Sequence, residues 1–234
     1  MPVERLFIDD FLKTAATAVL LDVRSPGEYH HAHIPSAVSL PLFTNEERAV
    51  VGTAYKQQSR EQAIKIGLDY FGPKMRRMVE EVEQLLAEQQ NNPSSNEGKA
   101  TDKKGKTVCV YCWRGGMRSA AVAWLLDVYG FKVYALQGGY KRYRQWAFEK
   151  LSLSYNLKLM GGYTGSGKTE LLQELAKSGE AVIDLEKLAS HKGSAFGNIG
   201  MPQQPSQEQF ENNLAFELHA KPQADELELL GHRG

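Results

Sequence analysis

Short apolar runs alternate with amphipathic segments along most of the chain. Residues 19–24 (VLLDVR) are apolar until the run ends in charge, which is typical of a buried parallel strand at the functional edge of a sheet. The apolar spacing over 73–89 predicts an amphipathic helix. Strands are predicted at 107–111 and 132–136, with a helix over 117–129 between them. Because strand, helix and strand follow one another with short connections, we expect an α/β fold with a parallel sheet flanked by helices.

Composition changes mark the domain organisation. Residues 89–106 are dominated by Asn, Ser, Gly, Lys and Pro, which predicts a mobile surface insertion within the first domain. A new strand over 156–160 begins a second α/β unit. We therefore expect a first domain over residues 1–152, a smaller second domain over 155–220, and a polar tail over 221–234.

Composition and charge exclude several classes of protein. Hydrophobic residues are 42% of the chain and charged residues 24%, as in globular proteins. The apolar runs are far shorter than the ~20 residues that span a bilayer, and the N-terminus has no apolar signal core, so we expect a cytoplasmic protein. Lys plus Arg equals Asp plus Glu, but residues 101–150 hold ten basic and three acidic side chains. That stretch is either a docking surface for a polyanion or a solvated basic face.

The two cysteines, Cys109 and Cys112, have the C-x-x-C spacing of redox pairs. The predicted strand points Cys109 into the sheet and leaves Cys112 at its end, which disfavours such a pair. Two cysteines cannot complete a tetrahedral thiolate site, so no metal site is predicted.

The strand over 107–111 is followed by a loop and a helix with the sequence CWRGGMRS, residues 112–119. Glycines allow backbone N–H groups to turn inward, and the helix N-terminus adds positive potential, so the loop can hold an anion. Such surroundings also favour thiolates. We predict Cys112 as a nucleophile beside an anion site of Arg114, Gly115, Gly116 and Arg118. The alternative is a buried cysteine beside an ordinary turn.

Residues 162–169 (GYTGSGKT) match the phosphate-binding pattern G-x-x-x-x-G-K-[ST] between a strand and a helix. Lys168 would neutralise phosphate oxygens and Thr169 could hold Mg²⁺. Asp184 ends the next predicted strand and would either approach the phosphate or cap the following helix. The motif indicates a polyphosphate without identifying it. Its predicted phosphate-binding residues are Gly162, Gly165, Ser166, Gly167, Lys168 and Thr169.

The loop after Cys112 resembles the active loop of the rhodanese fold, and the resemblance extends to residues 21–29 and 33–38. It implies that Cys112 carries sulfur or selenium as a persulfide or perselenide. Five residues separate Cys112 from Arg118, one more than in the common sulfurtransferase loop and as many as in the phosphatases of this fold. Hydrolysis of a phosphate ester therefore stays open.

Further stretches make the chain similar to the tRNA 2-selenouridine synthase family over roughly residues 5–220. Members of that family continue beyond the point where this chain stops, so the resemblance implies a shortened, incomplete P-loop domain. The stretches are NEER (45–48), VGTAYKQ (51–57), WRGGMRS (113–119), QGGYK (137–141) and SHKGSAFG (190–197).

The resemblance implies a transferase that replaces sulfur by selenium in the wobble 2-thiouridine of tRNA. Selenophosphate is the implied donor, and geranyl diphosphate supplies the geranyl group of an S-geranylated intermediate. No tightly bound cofactor is implied. tRNA is the implied partner, and an enzyme that makes selenophosphate is a candidate one. The implied tRNA-binding residues are Lys141, Arg142 and Arg144, and Gly67 lies at a position associated with the geranyl step.

Three other functions stay open. The first is a thiosulfate-type sulfurtransferase that uses only the N-terminal domain. The second is a phosphatase on the long cysteine loop, and the third is a non-catalytic remnant that binds tRNA or polyphosphate. Five aromatic residues of the basic stretch are either base-stacking or core residues: Tyr111, Trp113, Tyr134, Tyr140 and Tyr143.

Overall fold

Parallel strands form two separate sheets in the computed structural model, which describes residues 3–91, 106–163, 166–192, 197, 200–221 and 227–230. Most of the predicted insertion over 89–106 lies outside the described residues. The strands are β1 (Glu4–Leu6), β2 (Val19–Asp22), β3 (Val38–Ser39), β4 (Thr107–Tyr111), β5 (Lys132–Leu136), β6 (Leu157–Met160), β7 (Val182–Asp184) and β8 (Leu227–Leu230).

Helices connect these strands, and a 3₁₀ turn (Gly72–Lys74) directly precedes α5, the longest helix of the described residues. The helices are α1 (Ile8–Ala15), α2 (Pro26–His31), α3 (Asn45–Gln57), α4 (Arg60–Phe71), α5 (Met75–Asn91), α6 (Met117–Tyr129), α7 (Gly139–Leu151), α8 (Lys168–Lys177), α9 (Leu185–Ala189) and α10 (Gln207–Ala220).

The chain divides into two compact units, residues 1–143 and 144–234. In the first unit the strand order is β1-β5-β4-β2-β3, and every pair is parallel. β2 is buried along its whole length and β4 along nearly all of it, because helices cover both faces of the sheet. The predicted α/β fold with a parallel sheet is confirmed. The edge strand β1 and helix α1 were not predicted, since Glu4–Leu6 is too short for a clear alternation of apolar and polar residues.

A buried ion pair joins Asp22, the last residue of β2, to Arg24 in the loop that follows this strand. The Arg24 guanidinium lies 2.6 Å from an Asp22 carboxylate oxygen and also donates to the carbonyl of Ala32 at 2.6 Å. Its Cζ lies 3.9 Å from the ring centroid of Tyr140. Although burial alone acts to lower it, the Asp22 carboxylate holds the pKa of Arg24 above its ordinary value. The pair therefore holds the end of β2 in place, where Asp22 lies opposite Tyr111 at the end of β4.

The second unit contains a three-stranded parallel sheet in the order β6-β8-β7. β8 lies in the middle, so the prediction of a polar tail over 221–234 is wrong for residues 227–230. The acidic and polar residues around this short apolar segment hid its strand character. Leu157 and Leu159 of β6, an edge strand, are 41% and 47% exposed.

The described helices include none with both the length and the apolar composition needed to cross a bilayer.

Candidate active site

Cys112 lies where β4 ends, next to the loop that leads into α6. Its side chain is only 3% exposed, and its Sγ lies 3.2 Å from the Oγ of Ser119 in the first turn of α6. The Ser119 hydroxyl is also 3.2 Å from the carbonyl oxygen of Gly116. Ser119 can therefore accept from the thiol while donating to Gly116, or donate to the sulfur once it has become a thiolate. No role for Ser119 was predicted, because only the folded loop brings its hydroxyl to the sulfur.

Two glycines let the loop lie against the start of α7. A Cβ at Gly139, whose φ is +60°, would lie 2.3 Å from the carbonyl oxygen of Cys112 and 2.4 Å from the nitrogen of Gly115. A Cβ at Gly115, with φ +64°, would lie 2.7 Å from the carbonyl oxygen of Leu136. The backbone of Tyr140 donates to the carbonyl of Cys112 at 2.8 Å. The position of the cysteine loop thus depends on glycine at both places.

The cysteine loop leads into α6 at the amino end of this helix. Gly116 is its N-cap residue, no side chain caps the helix, and its first turn holds no acidic residue. Arg118 adds a positive charge to the first turn of α6, where the helix dipole disfavours cations. The backbone N–H groups at this end of α6 are therefore without a capping side chain.

The guanidinium of Arg118 is already paired. Its Nη1 donates to a carboxylate oxygen of Glu28 at 2.7 Å, and its Nη2 lies 3.4 Å from the other oxygen. Arg48 also contacts Glu28, at 3.0 Å. Arg118 is predicted from the sequence to bind an anion, whereas its partner in the structure is Glu28. Arg114 is exposed, and no ion pair of Arg114 is present among the described residues.

Glu28 is a site residue that the sequence analysis missed. It closes the capping box of α2 with Ser25, and this local role gave no sign of its second role. Burial acts to raise its pKa, but the hydrogen bond and charge of Arg118, the Ser25 backbone N–H and the charge of Arg48 lower the pKa of Glu28 to about 2. Glu28 thus holds the first turn of α6 against α2.

Replacing Glu28 by Gln should lower the free energy of unfolding by about 2–3 kcal/mol at neutral pH. Since the folded pKa is below the ordinary value of 4.5, the stabilisation by Glu28 is present above pH 4.5 and is lost as the pH falls toward 2. Urea unfolding at several pH values should show less acid sensitivity in Glu28→Gln than in the wild type. Glu81→Gln is the control, because its pair with the exposed Arg77 contributes under about 1 kcal/mol. Equal losses in both variants would contradict this role.

The three predicted tRNA-binding residues differ in what they offer to an anion. Lys141 is exposed and Arg142 is half-buried, with an interaction of its own. Arg144 donates to Glu211 and to Asn212, both at 2.6 Å, within the second unit. Arg144 thus connects α7 to α10, and of the three it offers the least charge to RNA.

Cys109 is fully buried in β4, and both cysteines are free thiols. Burial raises the pKa of Cys109 to about 12, so it stays a thiol at neutral pH. This disfavours a redox pair with Cys112. Gly67 is buried in α4, where a Cβ would lie 3.3 Å from the ring of Phe43.

In the second unit, Gly167 is the N-cap of α8 and adopts φ +79°. The Nζ of Lys168 donates to the carbonyls of Gly162 and Tyr163, at 3.0 and 2.9 Å. The lysine therefore lies over the loop that the motif predicted. Ser166 and Thr169 are exposed, and Gly165 lies outside the described residues.

Asp184 accepts a hydrogen bond from the backbone of Lys187 at 2.9 Å and so caps α9. Of the two roles left open for Asp184, the structure supports the cap. The stretch SHKGSAFG (190–197) is described only at 190–192 and 197, where the backbone N–H of Lys192 donates to the carbonyl of Gly197 at 2.9 Å.

Comparisons with known proteins match both parts of the chain. The family model "Rhodanese-like domain" matches residues 8–145, which is more than half of the chain. The family model "tRNA 2-selenouridine synthase AAA domain" matches residues 155–230. That match includes β8, the strand at Leu227–Leu230.

Individual relatives carry the same description. A tRNA 2-selenouridine synthase from Nitrosomonas europaea is 40% identical over 87% of this chain and 49% of the relative. One from Bdellovibrio bacteriovorus is 41% identical over 85% of this chain and 48% of the relative. The solved N-terminal domain of a Clostridium difficile 630 protein is 37% identical over 61% of this chain and 97% of that chain, with a TM-score of 0.49.

The chain spans about half the length of the curated relatives it matches. The family resemblance carried by the cysteine loop and the phosphate-binding motif is confirmed over most of its residues. The chain is a member of the rhodanese-like family and a homologue of the tRNA 2-selenouridine synthases.

Proposed function

We propose that this chain replaces sulfur by selenium in the wobble 2-thiouridine of tRNA, with selenophosphate as the donor and an S-geranylated intermediate made from geranyl diphosphate. The observation that carries the proposal is the position of Cys112. Its sulfur contacts Ser119 where β4 meets the uncapped amino end of α6. Homology to the synthases supplies the class of substrate.

In the first step, the thiolate of Cys112 forms a bond to the selenium of selenophosphate. The selenium–phosphorus bond breaks, its electron pair stays on phosphorus, and the phosphorus leaves as phosphite. The product is a perselenide on Cys112. Backbone N–H groups of residues 115–118 and the exposed Arg114 would bind the phosphate oxygens of the donor, and the Ser119 hydroxyl would stabilise the thiolate before attack.

In the second step, the terminal selenium attacks C2 of the S-geranylated base. The bond from C2 to sulfur breaks and the geranyl thiolate leaves, which is easier than expelling sulfur from a thiocarbonyl. A low-molecular-weight thiol then attacks the sulfur of Cys112, so that the sulfur–selenium bond breaks with its electron pair on selenium. A second thiol reduces the mixed disulfide on Cys112 and restores the thiolate.

The phosphate-binding loop of the second unit would hold the diphosphate of geranyl diphosphate. Lys168 donates to two loop carbonyls, and a diphosphate would supply stronger, charged acceptors for the same ammonium group. The exposed hydroxyl of Thr169 is the group that would hold a Mg²⁺ ion with the diphosphate.

One observation favours a second reaction between Cys112 and selenophosphate. The five residues between Cys112 and Arg118 equal the spacing in the phosphatases that share this fold. Attack of the thiolate on phosphorus would form a sulfur–phosphorus bond and release hydroselenide, and water would then hydrolyse the phosphocysteine. The adduct formed on Cys112 separates the two routes.

Nucleoside mass spectrometry of tRNA tests the proposal. The chain is incubated with 2-thiouridine tRNA, a small thiol, selenophosphate and geranyl diphosphate. We expect S-geranyl-2-thiouridine with geranyl diphosphate alone and 2-selenouridine when selenophosphate is added. tRNA binding without either product would contradict the proposal and would support a non-catalytic remnant.

Replacing Lys168 by Ala should separate the two activities. We expect geranylation to fall about 100-fold, because the ammonium group that neutralises the diphosphate is lost. Selenation of tRNA that is already S-geranylated should proceed as in the wild type. Lys177→Ala is the control, since Lys177 lies exposed in the last turn of the same helix and pairs with Glu174. Equal loss of both activities in Lys168→Ala would show that the phosphate-binding loop does not act on geranyl diphosphate alone.

A further inference from the structure

Trp113 differs from the other aromatic residues of the basic stretch in its exposure. Tyr111, Tyr140 and Tyr143 are fully buried. Tyr134 is half-buried, and Lys132 lies over its ring. Trp113 directly follows Cys112, and its side chain is 39% exposed. Of these five candidates for base stacking, Trp113 is the exposed one, and it is next to Cys112 in sequence.

The indole of Trp113 is held in place from one side. Its ring lies 5.7 Å from that of Tyr140 with a tilt of 39°. Tyr140 in turn contacts Arg24, whose Cζ lies 3.9 Å from its ring centroid, and Tyr143, whose ring centroid is 6.1 Å away. The carbonyl of Trp113 accepts from the backbone of Lys141 at 3.0 Å. An anchored aromatic ring loses little conformational freedom when a flat ligand stacks on it.

The charges next to Trp113 favour a nucleotide over a purely apolar ligand. Arg114 follows it in sequence, and Lys141 is tied to it by the backbone hydrogen bond. Both side chains are exposed. An exposed aromatic ring flanked by exposed cations can stack on a base while the cations contact phosphates.

We propose that Trp113 stacks on the nucleobase that is modified and so positions its C2 over Cys112. Trp113 acts as a positioning residue for the base and takes no part in the covalent steps. This inference rests on the proposed function, because it takes the RNA substrate from there.

Binding of an anticodon stem-loop RNA with 2-thiouridine at the wobble position tests this inference. Trp113→Leu keeps an apolar side chain against Tyr140 but removes the ring, so affinity should fall about tenfold or more. Trp113→Phe should retain most of the affinity. Trp124→Leu is the matched control, because Trp124 is 53% exposed on α6 and lies about two turns after the start of that helix. It should bind as the wild type does.

Two further readouts separate stacking from a structural effect. The dependence of affinity on salt should be unchanged in Trp113→Leu and weaker in Lys141→Ala, since only the lysine would contact a phosphate. Loading of Cys112 from selenophosphate should be unchanged in Trp113→Leu.

The inference is overturned if Trp113→Leu binds the RNA like the wild type, if the Leu and Phe variants weaken binding equally, or if Trp124→Leu weakens it as much. Failure of the wild type to bind the RNA also overturns it. RNA binding by the wild type without selenium loading contradicts the proposed function alone, and the binding series still decides the role of Trp113.

Discussion

A Cys112→Ala variant should lose selenation of tRNA completely while retaining geranylation. In the proposed mechanism only the sulfur of residue 112 takes up selenium, whereas the phosphate-binding loop lies in the other unit of the chain. Nucleoside mass spectrometry should therefore find S-geranyl-2-thiouridine but no 2-selenouridine. Retained selenation in this variant would exclude a covalent role for Cys112.

Cys109→Ala is the matched control for that experiment. Cys109 is buried three residues earlier in the same segment and stays a thiol at neutral pH, because burial raises its pKa to about 12. We expect Cys109→Ala to lower stability slightly and to keep selenation. If both variants lost selenation, a redox pair of the two cysteines would replace the proposed single nucleophile.

Gly139→Ala should disable the Cys112 site without changing any group that takes part in the reaction. The added methyl group would lie 2.3 Å from the carbonyl of Cys112, and the backbone has φ +60°. Since neither the strand end nor the loop can yield without moving the sulfur, we expect a loss of about 3 kcal/mol or more in unfolding free energy and little loading of Cys112. Urea unfolding and loading with selenophosphate measure the two effects.

Gly130→Ala separates the effect of the clash from that of the backbone conformation. Gly130 has φ +111°, but a Cβ there would meet no atom within 4 Å. This variant should lose only about 1–2 kcal/mol, the cost of a strained backbone, and should load selenium normally. Similar losses in both variants would mean that the contact between Gly139 and the cysteine loop has no special role.

The fold of the first unit could be predicted because the residues that form each strand and its loop are contiguous in sequence. The apolar run that becomes β2 and the segment that becomes β4 are contiguous in sequence, and the loop after β4 carries its own glycines and arginines. Strand and helix patterns therefore located Cys112 at a strand end before any contact was known.

Contacts between distant residues could not be predicted in the same way. Glu28 and Arg118 are 90 residues apart, and no periodicity relates them. The approach of Gly139 to the cysteine loop depends on backbone geometry that a pattern of residue types does not contain. β8 was missed because a four-residue strand between polar segments gives too little alternation to detect.

The basic stretch shows a further limit of sequence patterns. Its excess of positive charge suggested a surface for RNA, but the pattern could not separate cations that face solvent from those that hold the fold together. Arg118 and Arg144 have carboxylate partners in the structure, whereas Lys141 and Arg114 are exposed. Similarly, of the five aromatic residues only the structure distinguishes the partly exposed Trp113 from its buried neighbours.

The most direct test of the proposed chemistry is the mass of the peptide containing Cys112 after the chain has been incubated with selenophosphate and no RNA. We expect an adduct on Cys112 that shows the isotope pattern of selenium, releases phosphite when it forms, and disappears on treatment with a thiol. An unmodified Cys112, or a phosphoryl group on its sulfur together with free hydroselenide, would contradict transfer of selenium through this residue.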